Sequence, residues 1–199
     1  MQRAARVTDL ESGAGDRFSV LARKRGSSER EKNMEFRKSI RDLILDLRRE
    51  MREKFRRHVS VGDLLTDRWE IARDYGFGEG TSCYDNVFIL GDVRVGKHCW
   101  IGPNVILDGQ AGLTIGDHCD ISAGAQIYTH DTVARCLSGG VAAVEQAPVK
   151  IGSCVYIGPQ CVIEKGVTIG DRVIIGAMSL VTRDIPSGAK AWGIPATLK

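Results

Sequence analysis

A histidine set between a hydroxyl and a carboxylate, in Tyr128-Thr129-His130-Asp131, is the first candidate for chemistry in this chain. A neutral imidazole titrates near working pH, so His130 could take the proton from an alcohol or amine as that group attacks a carbonyl carbon. A carboxylate could hold such a ring in one orientation, and Asp131 and Glu145 lie in the same stretch of chain. Asn104, Asp108 and Gln110 carry hydrogen-bonding groups that could line an acceptor pocket, or simply face solvent at turns. His98 and His118 are 20 residues apart and lack a third ligand, so no metal is expected.

The elements that position these residues show in the aliphatic pattern. Thirteen times an Ile, Leu or Val falls on a six-residue grid: positions 89, 95, 101 and 107, then 115, 121 and 127, then 151, 157, 163, 169, 175 and 181. A period that is neither 2 nor 3.6 means stacked identical units, and a hexapeptide period means a parallel β-helix. Three units close one triangular coil, so the grid implies an all-β solenoid of about four to five coils. The second residue of each unit is often Gly, read as tolerating backbone angles that a side chain resists. The fifth is small or β-branched (Cys99, Val105, Ala111, Cys119, Ala125, Val155, Cys161) and should fill the remaining interior. The grid slips by two residues between Leu107 and Ile115, then breaks for a stretch that is 18 residues too long between Tyr128 and Lys150. Continuing it would bury Glu145 without a partner, at high cost, so residues 128–150 are expected to leave the coil as an extruded loop. His130 stands where that loop begins. On the same grid Gln110 falls one coil beneath His130, and Asp108 beneath Tyr128.

Residues 1–33 are rich in Arg, Ser, Gly and Glu without aliphatic periodicity and are expected to be disordered, or an extension ahead of a natural start at Met34. Residues 34–66 form a helical segment. There Phe36, Ile40, Leu43, Ile44, Leu47, Met51 and Phe55 make one apolar stripe, suited to covering the first coil, packing between subunits or lying on a membrane surface. Residues 67–199 form the solenoid domain with its tail, 186–199. No apolar run is long enough to span a membrane, and a formal net charge of +3 does not suggest nucleic acid. The six cysteines include no Cys-x-x-Cys pair; Cys99, Cys119 and Cys161 read as core filler in a reducing cytoplasm.

The grid, the loop histidine and the tail Val181-Thr182-Arg183-Asp184-Ile185-Pro186 … Gly193-Ile194-Pro195-Ala196 together resemble the hexapeptide-repeat acetyltransferases over about residues 75–199. That resemblance implies a left-handed β-helix assembled as a homotrimer, with acetyl-CoA as co-substrate and direct transfer to an acceptor without an acyl-enzyme. Carried over by position, it makes His130 the base and gives Ala177 and Thr182 contacts to the pantetheine arm. It also puts Arg183 on the coenzyme phosphates, with Lys199 as the basic residue beyond the closing proline. The chain departs from the family pattern at Thr129, where many relatives carry Asn, at Thr197, where galactoside-type enzymes carry a basic residue for which Lys199 would substitute, and at Pro159, where those enzymes carry Ser. Its Gly76–Tyr84 segment and Ser138-Gly139-Gly140 look more like acetyltransferases of surface-polysaccharide biosynthesis, which act on a sugar hydroxyl or amine. A xenobiotic acceptor and a purely structural scaffold stay open as rivals.

Overall fold

The computed structural model describes residues 27–199. It divides into a helical unit ending at His58 and a solenoid unit from Val59 onward.

The helical unit is α1, Ser27–Phe55. It starts earlier than residue 34 and takes in residues 27–33, which were expected to be disordered. Good helix formers (Glu, Arg, Lys) and an acidic first turn at Glu29 carry a helix without any aliphatic stripe. The rest of the expected disordered extension lies outside the described residues. The apolar stripe is largely solvent-facing in the single chain: Phe36, Leu43 and Phe55 are 65%, 51% and 60% exposed. The helix does not run on through residue 66. Arg56 takes a left-handed φ of 53°, and only a short helix, α2 (Gly62–Leu65), follows.

The solenoid opens with α3, Arg68–Asp74, whose N-terminus is capped by the Asp67 carboxylate accepting from Trp69 N at 2.8 Å. Ala72 on α3 and Phe77 just after it are buried against the first rung, so the open end of the coil stack is covered by this short helix. The coils then follow in chain order. The first holds β1 (Ser82–Cys83) and β2 (Phe88–Val95), and the second holds β3 (Trp100–Ile101) and β4 (Ile106–Ile115). The third begins with β5 (Asp120–Ile121) and β6 (Gln126–Ile127). It then leaves the prism through β7 (His130–Asp131), α4 (Val133–Leu137) and β8 (Glu145–Gln146), and returns at β9 (Val149–Ile151). The fourth is β10 (Tyr156–Ile157), β11 (Val162–Ile163) and β12 (Thr168–Ile169). The fifth is β13 (Ile174–Ile175), β14 (Leu180–Val181) and a bridge at Ile185. A sixth rung, β15 (Lys190–Gly193), turns back antiparallel into β16 (Ala196–Leu198).

One side of the prism thus stacks β1, β3, β5, β10, β13 and β15 in parallel register. The stack is longer than the four to five coils the grid implied, because both terminal interior positions are filled by small residues. Cys83 and Ala191 occupy them, each 0% exposed. Burial pushes the Cys83 thiol up to about 12, with Asp63 and Asp85 adding to the shift, so this sulfur packs as a small apolar group.

Two details of the repeat differ from expectation. The second-position glycines are needed for room rather than for backbone angle. None of Gly102, Gly116 and Gly158 has positive φ, yet a Cβ on Gly158 would lie 2.6 Å from Ala177 N in the next coil. Positive φ falls instead on corner residues such as Asn104, His118, Gln160 and Met178. The two-residue slip forms no separate loop. It is absorbed where Gly91 pairs with Gly109 but Val93 pairs with Leu113, within the continuous strand β4. Leu113, 1% exposed, therefore takes the interior place assigned to Ala111.

Candidate active site

His130 sits at the corner between the side carrying β6 and the side carrying β9, where the chain turns out into the extruded segment. That segment begins with a two-residue antiparallel ladder, His130 opposite Gln146 and Asp131 opposite Glu145. Val133, Gly139 and Glu145, the positions that a continued grid would have buried, are all exposed.

Beneath the ring lies Asp108, fully buried near the start of β4. Its Oδ2 is 2.5 Å from His130 Nδ1 and accepts from Thr129 N at 2.9 Å, while Oδ1 accepts from Gln110 N at 3.0 Å. Thr129, also fully buried, accepts from Ala111 N through Oγ1 at 3.0 Å and so pins the strand to the coil below. Burial opposes the charge on Asp108, but the N–H groups of Thr129 and Gln110 and the His130 ring outweigh it and hold the carboxyl below its ordinary value. A buried ionised carboxylate demands a proton on Nδ1. In the neutral ring the lone pair then falls on Nε2, the arrangement a general base needs.

The ring, 23% exposed, opens onto a cleft of about 480 Å³ lined by Tyr128, His130, Asp131, Thr132, Val133, Val162, Glu164 and Lys165. Lys165, which the sequence reading passed over, pairs with Asp131 and stands 3.1 Å from Glu145. The carboxylate that faces the imidazole is therefore Asp108, not Asp131 or Glu145. Those two are drawn off by the lysine, whose hydrogen bond lowers the Asp131 carboxyl and whose own amine is raised in turn.

The remaining candidates scatter. Gln110 is exposed and contributes its backbone N–H to Asp108. Asn104 is on another corner, where its side chain accepts from Asn86 at 2.9 Å, and it does not line the cleft. Thr182 and Arg183 follow β14 one coil beyond Glu164 and Lys165, since Ile163 pairs with Val181, so they continue the cleft edge. Ala177 is exposed at the corner between β13 and β14, the opposite edge of the same side of the prism. Lys199 lies over the Trp192 ring with Nζ 5.7 Å from its centre. His98 and His118 stack, with centroids 5.0 Å apart, on the third corner. Among the described residues no group of three or more His, Cys, Asp or Glu converges as a metal site.

Comparison with known proteins bears on the solenoid and its repeats. The profile described as bacterial transferase hexapeptide (six repeats) matches residues 148–183, and that of the hexapeptide repeat of succinyl-transferase matches residues 92–129. Nodulation protein L of Rhizobium meliloti is 39% identical over 54% of this chain and 59% of its own length. Galactoside O-acetyltransferase of Escherichia coli is 33% identical over 52% of this chain and 51% of its own. A hexapeptide-repeat acetyltransferase of Vibrio cholerae, solved in complex with acetyl coenzyme A, superposes with a TM-score of 0.59 at 28% identity over 81% of this chain and 86% of its own. The fold is the left-handed parallel β-helix of hexapeptide repeats, the fold of the hexapeptide-repeat acetyltransferases that this chain resembles. It spans little more than half the length of the curated relatives it matches.

Proposed function

We propose that this protein transfers an acetyl group from acetyl-CoA to a hydroxyl or amino group of a sugar, with His130 as the general base. The observation that carries the reading is the short contact of His130 Nδ1 with buried Asp108, which leaves Nε2 free at the mouth of a cleft. In the step proposed, Nε2 takes the acceptor proton as the acceptor oxygen or nitrogen bonds to the thioester carbon. The tetrahedral intermediate then collapses, the C–S bond breaks and the coenzyme thiolate leaves, taking the proton back from the imidazolium. Asp108 stabilises that cation while it exists. Thr182 and Arg183 would meet the coenzyme along the cleft edge, with the guanidinium on phosphate.

A homotrimer belongs to the same reading. Ala177 and His130 border opposite edges of one prism side, so a coenzyme held between neighbouring copies of the chain would meet Ala177 of one copy and His130 of the other. That side carries Phe88, Ile106, Val162 and Leu180 outward, none of them buried in the single chain. The nucleotide-linked or polysaccharide-precursor acceptor, contact of α1 with a membrane surface and a cytoplasmic location are further parts of the proposal. Among the described residues no helix is long and apolar enough to cross a membrane.

A thermal-shift titration tests the first requirement. Acetyl-CoA at 100 times its Kd should stabilise the fold by about 2.7 kcal/mol. A panel of sugars and nucleotide-sugars should then release free thiol from acetyl-CoA with at least one acceptor. No stabilisation by acetyl-CoA or CoA at any concentration would overturn the reading and leave a structural scaffold in its place.

A further inference from the structure

Asp131 and Glu145 stand directly opposite each other in the β7–β8 ladder. Two like charges in that relation push a strand pair apart. Here the pair is also only two residues long, with no neighbouring strand to hold it. Lys165 resolves the conflict. Its ammonium donates to Asp131 and stands 3.1 Å from Glu145, reaching across from the corner after β11 to the root of the extruded segment. The three groups are 27%, 34% and 55% exposed, too open for such pairs to add much to global stability. Their effect is local, and the residue beside Asp131 on the same strand is His130.

We infer that Lys165 is a positioning residue, which bolts the root of the 128–148 segment to the fourth coil and so keeps the His130 ring seated on Asp108. Its importance rests on His130 being the reacting base. Its test does not, because neither measurement below involves acetyl transfer. Three variants of the full chain are compared: Lys165→Met, Lys165→Arg, and Lys165→Met combined with Asp131→Asn and Glu145→Gln. Amide exchange of residues 129–147 and the downfield proton resonance of His130 Nδ1–H, assigned by its loss in Asp108→Asn, are followed in each.

In Lys165→Met, two facing carboxylates lose their cation. Exchange in 129–147 should quicken by about tenfold or more and the His130 proton should broaden or vanish, while exchange in β10 to β14 stays as in the parent. Lys165→Arg should restore both signals. The triple variant should restore them too, since removing the repulsion removes the need for the lysine. Unchanged exchange and an unchanged resonance in Lys165→Met would overturn the inference. So would a triple variant no better than Lys165→Met, which would mean that the lysine acts in some way other than by reconciling these two carboxylates. If Lys165→Met alone folds poorly, the triple variant, which buries no unpaired charge, still decides the matter.

Discussion

Two corners of one prism each display histidine, and they differ in what stands behind the ring. At the third corner His98 and His118 stack on each other one coil apart, both exposed, with another imidazole as nearest ring. At the corner after β6, His130 rests on a buried carboxylate that is itself held by two backbone N–H groups. The fold supplies both positions by the same repeat, so the repeat does not make a base. What the proposed base at His130 has in addition is a partner placed inside the turn, with its charge fixed by hydrogen bonds. The third corner lacks that partner because its turns are built from residues such as Lys97 and Asp117, whose polar groups serve neighbouring coils. Asp117, for example, accepts from Lys97 N at 2.7 Å.

Four outcomes would break or sharpen that contrast. The largest is His130→Ala, expected to lower kcat by about 10²–10⁴ while acetyl-CoA affinity stays nearly constant. Full activity measured by thiol release would remove His130 from the reaction. Next is Asp108→Asn, which keeps the imidazole but no longer fixes its tautomer; a fall in kcat of about 10- to 100-fold is expected, with KM for acetyl-CoA little changed.

The third outcome concerns stability and pH. Because Asp108 is held below its ordinary value, its charge stabilises the fold fully above the normal carboxylate range, and that contribution fades as pH falls through the lowered value. Denaturant melts should therefore show Asp108→Asn weaker than the parent by about 1–3 kcal/mol at neutral pH, with the gap closing at strongly acid pH. A gap that persists unchanged in acid would mean that shape, not charge, is what the site needs from this residue. The smallest effect is expected at the other corner. His98→Ala and His118→Ala should each leave kcat within about twofold and stability within about 0.5 kcal/mol. A loss there rivalling that of His130→Ala would erase the distinction between the two corners.

The aliphatic grid was enough to read the solenoid, the excursion at 128–150 and the corner on which His130 lies. The ends were not legible, because Cys83, Ala191 and Ala72 do interior work without an aliphatic signature. The partner of His130 was harder still. Counting rungs puts Asp108 level with Tyr128, and only the path of the chain through Thr129, fixed by its bond from Ala111, brings the ring over the carboxylate. Asp131 and Glu145 are the carboxylates that suggest themselves as partners, because they share the histidine's stretch of chain. But Asp131, as the next residue on the strand, points to the opposite side, and Glu145 faces Asp131 across the ladder. Lys165 carried no motif at all; its position becomes meaningful only once the segment's two carboxylates face each other beside it.

The excursion has a length that keeps the spine indifferent to it. Ile115 pairs with Ile151 and Ile127 with Ile163, so the chain re-enters in the register it would have held without the detour. Such a segment behaves as an exchangeable cassette. Its sequence can change without disturbing the rungs, while the buried carboxylate of Asp108 stays in β4, on the permanent part of the molecule.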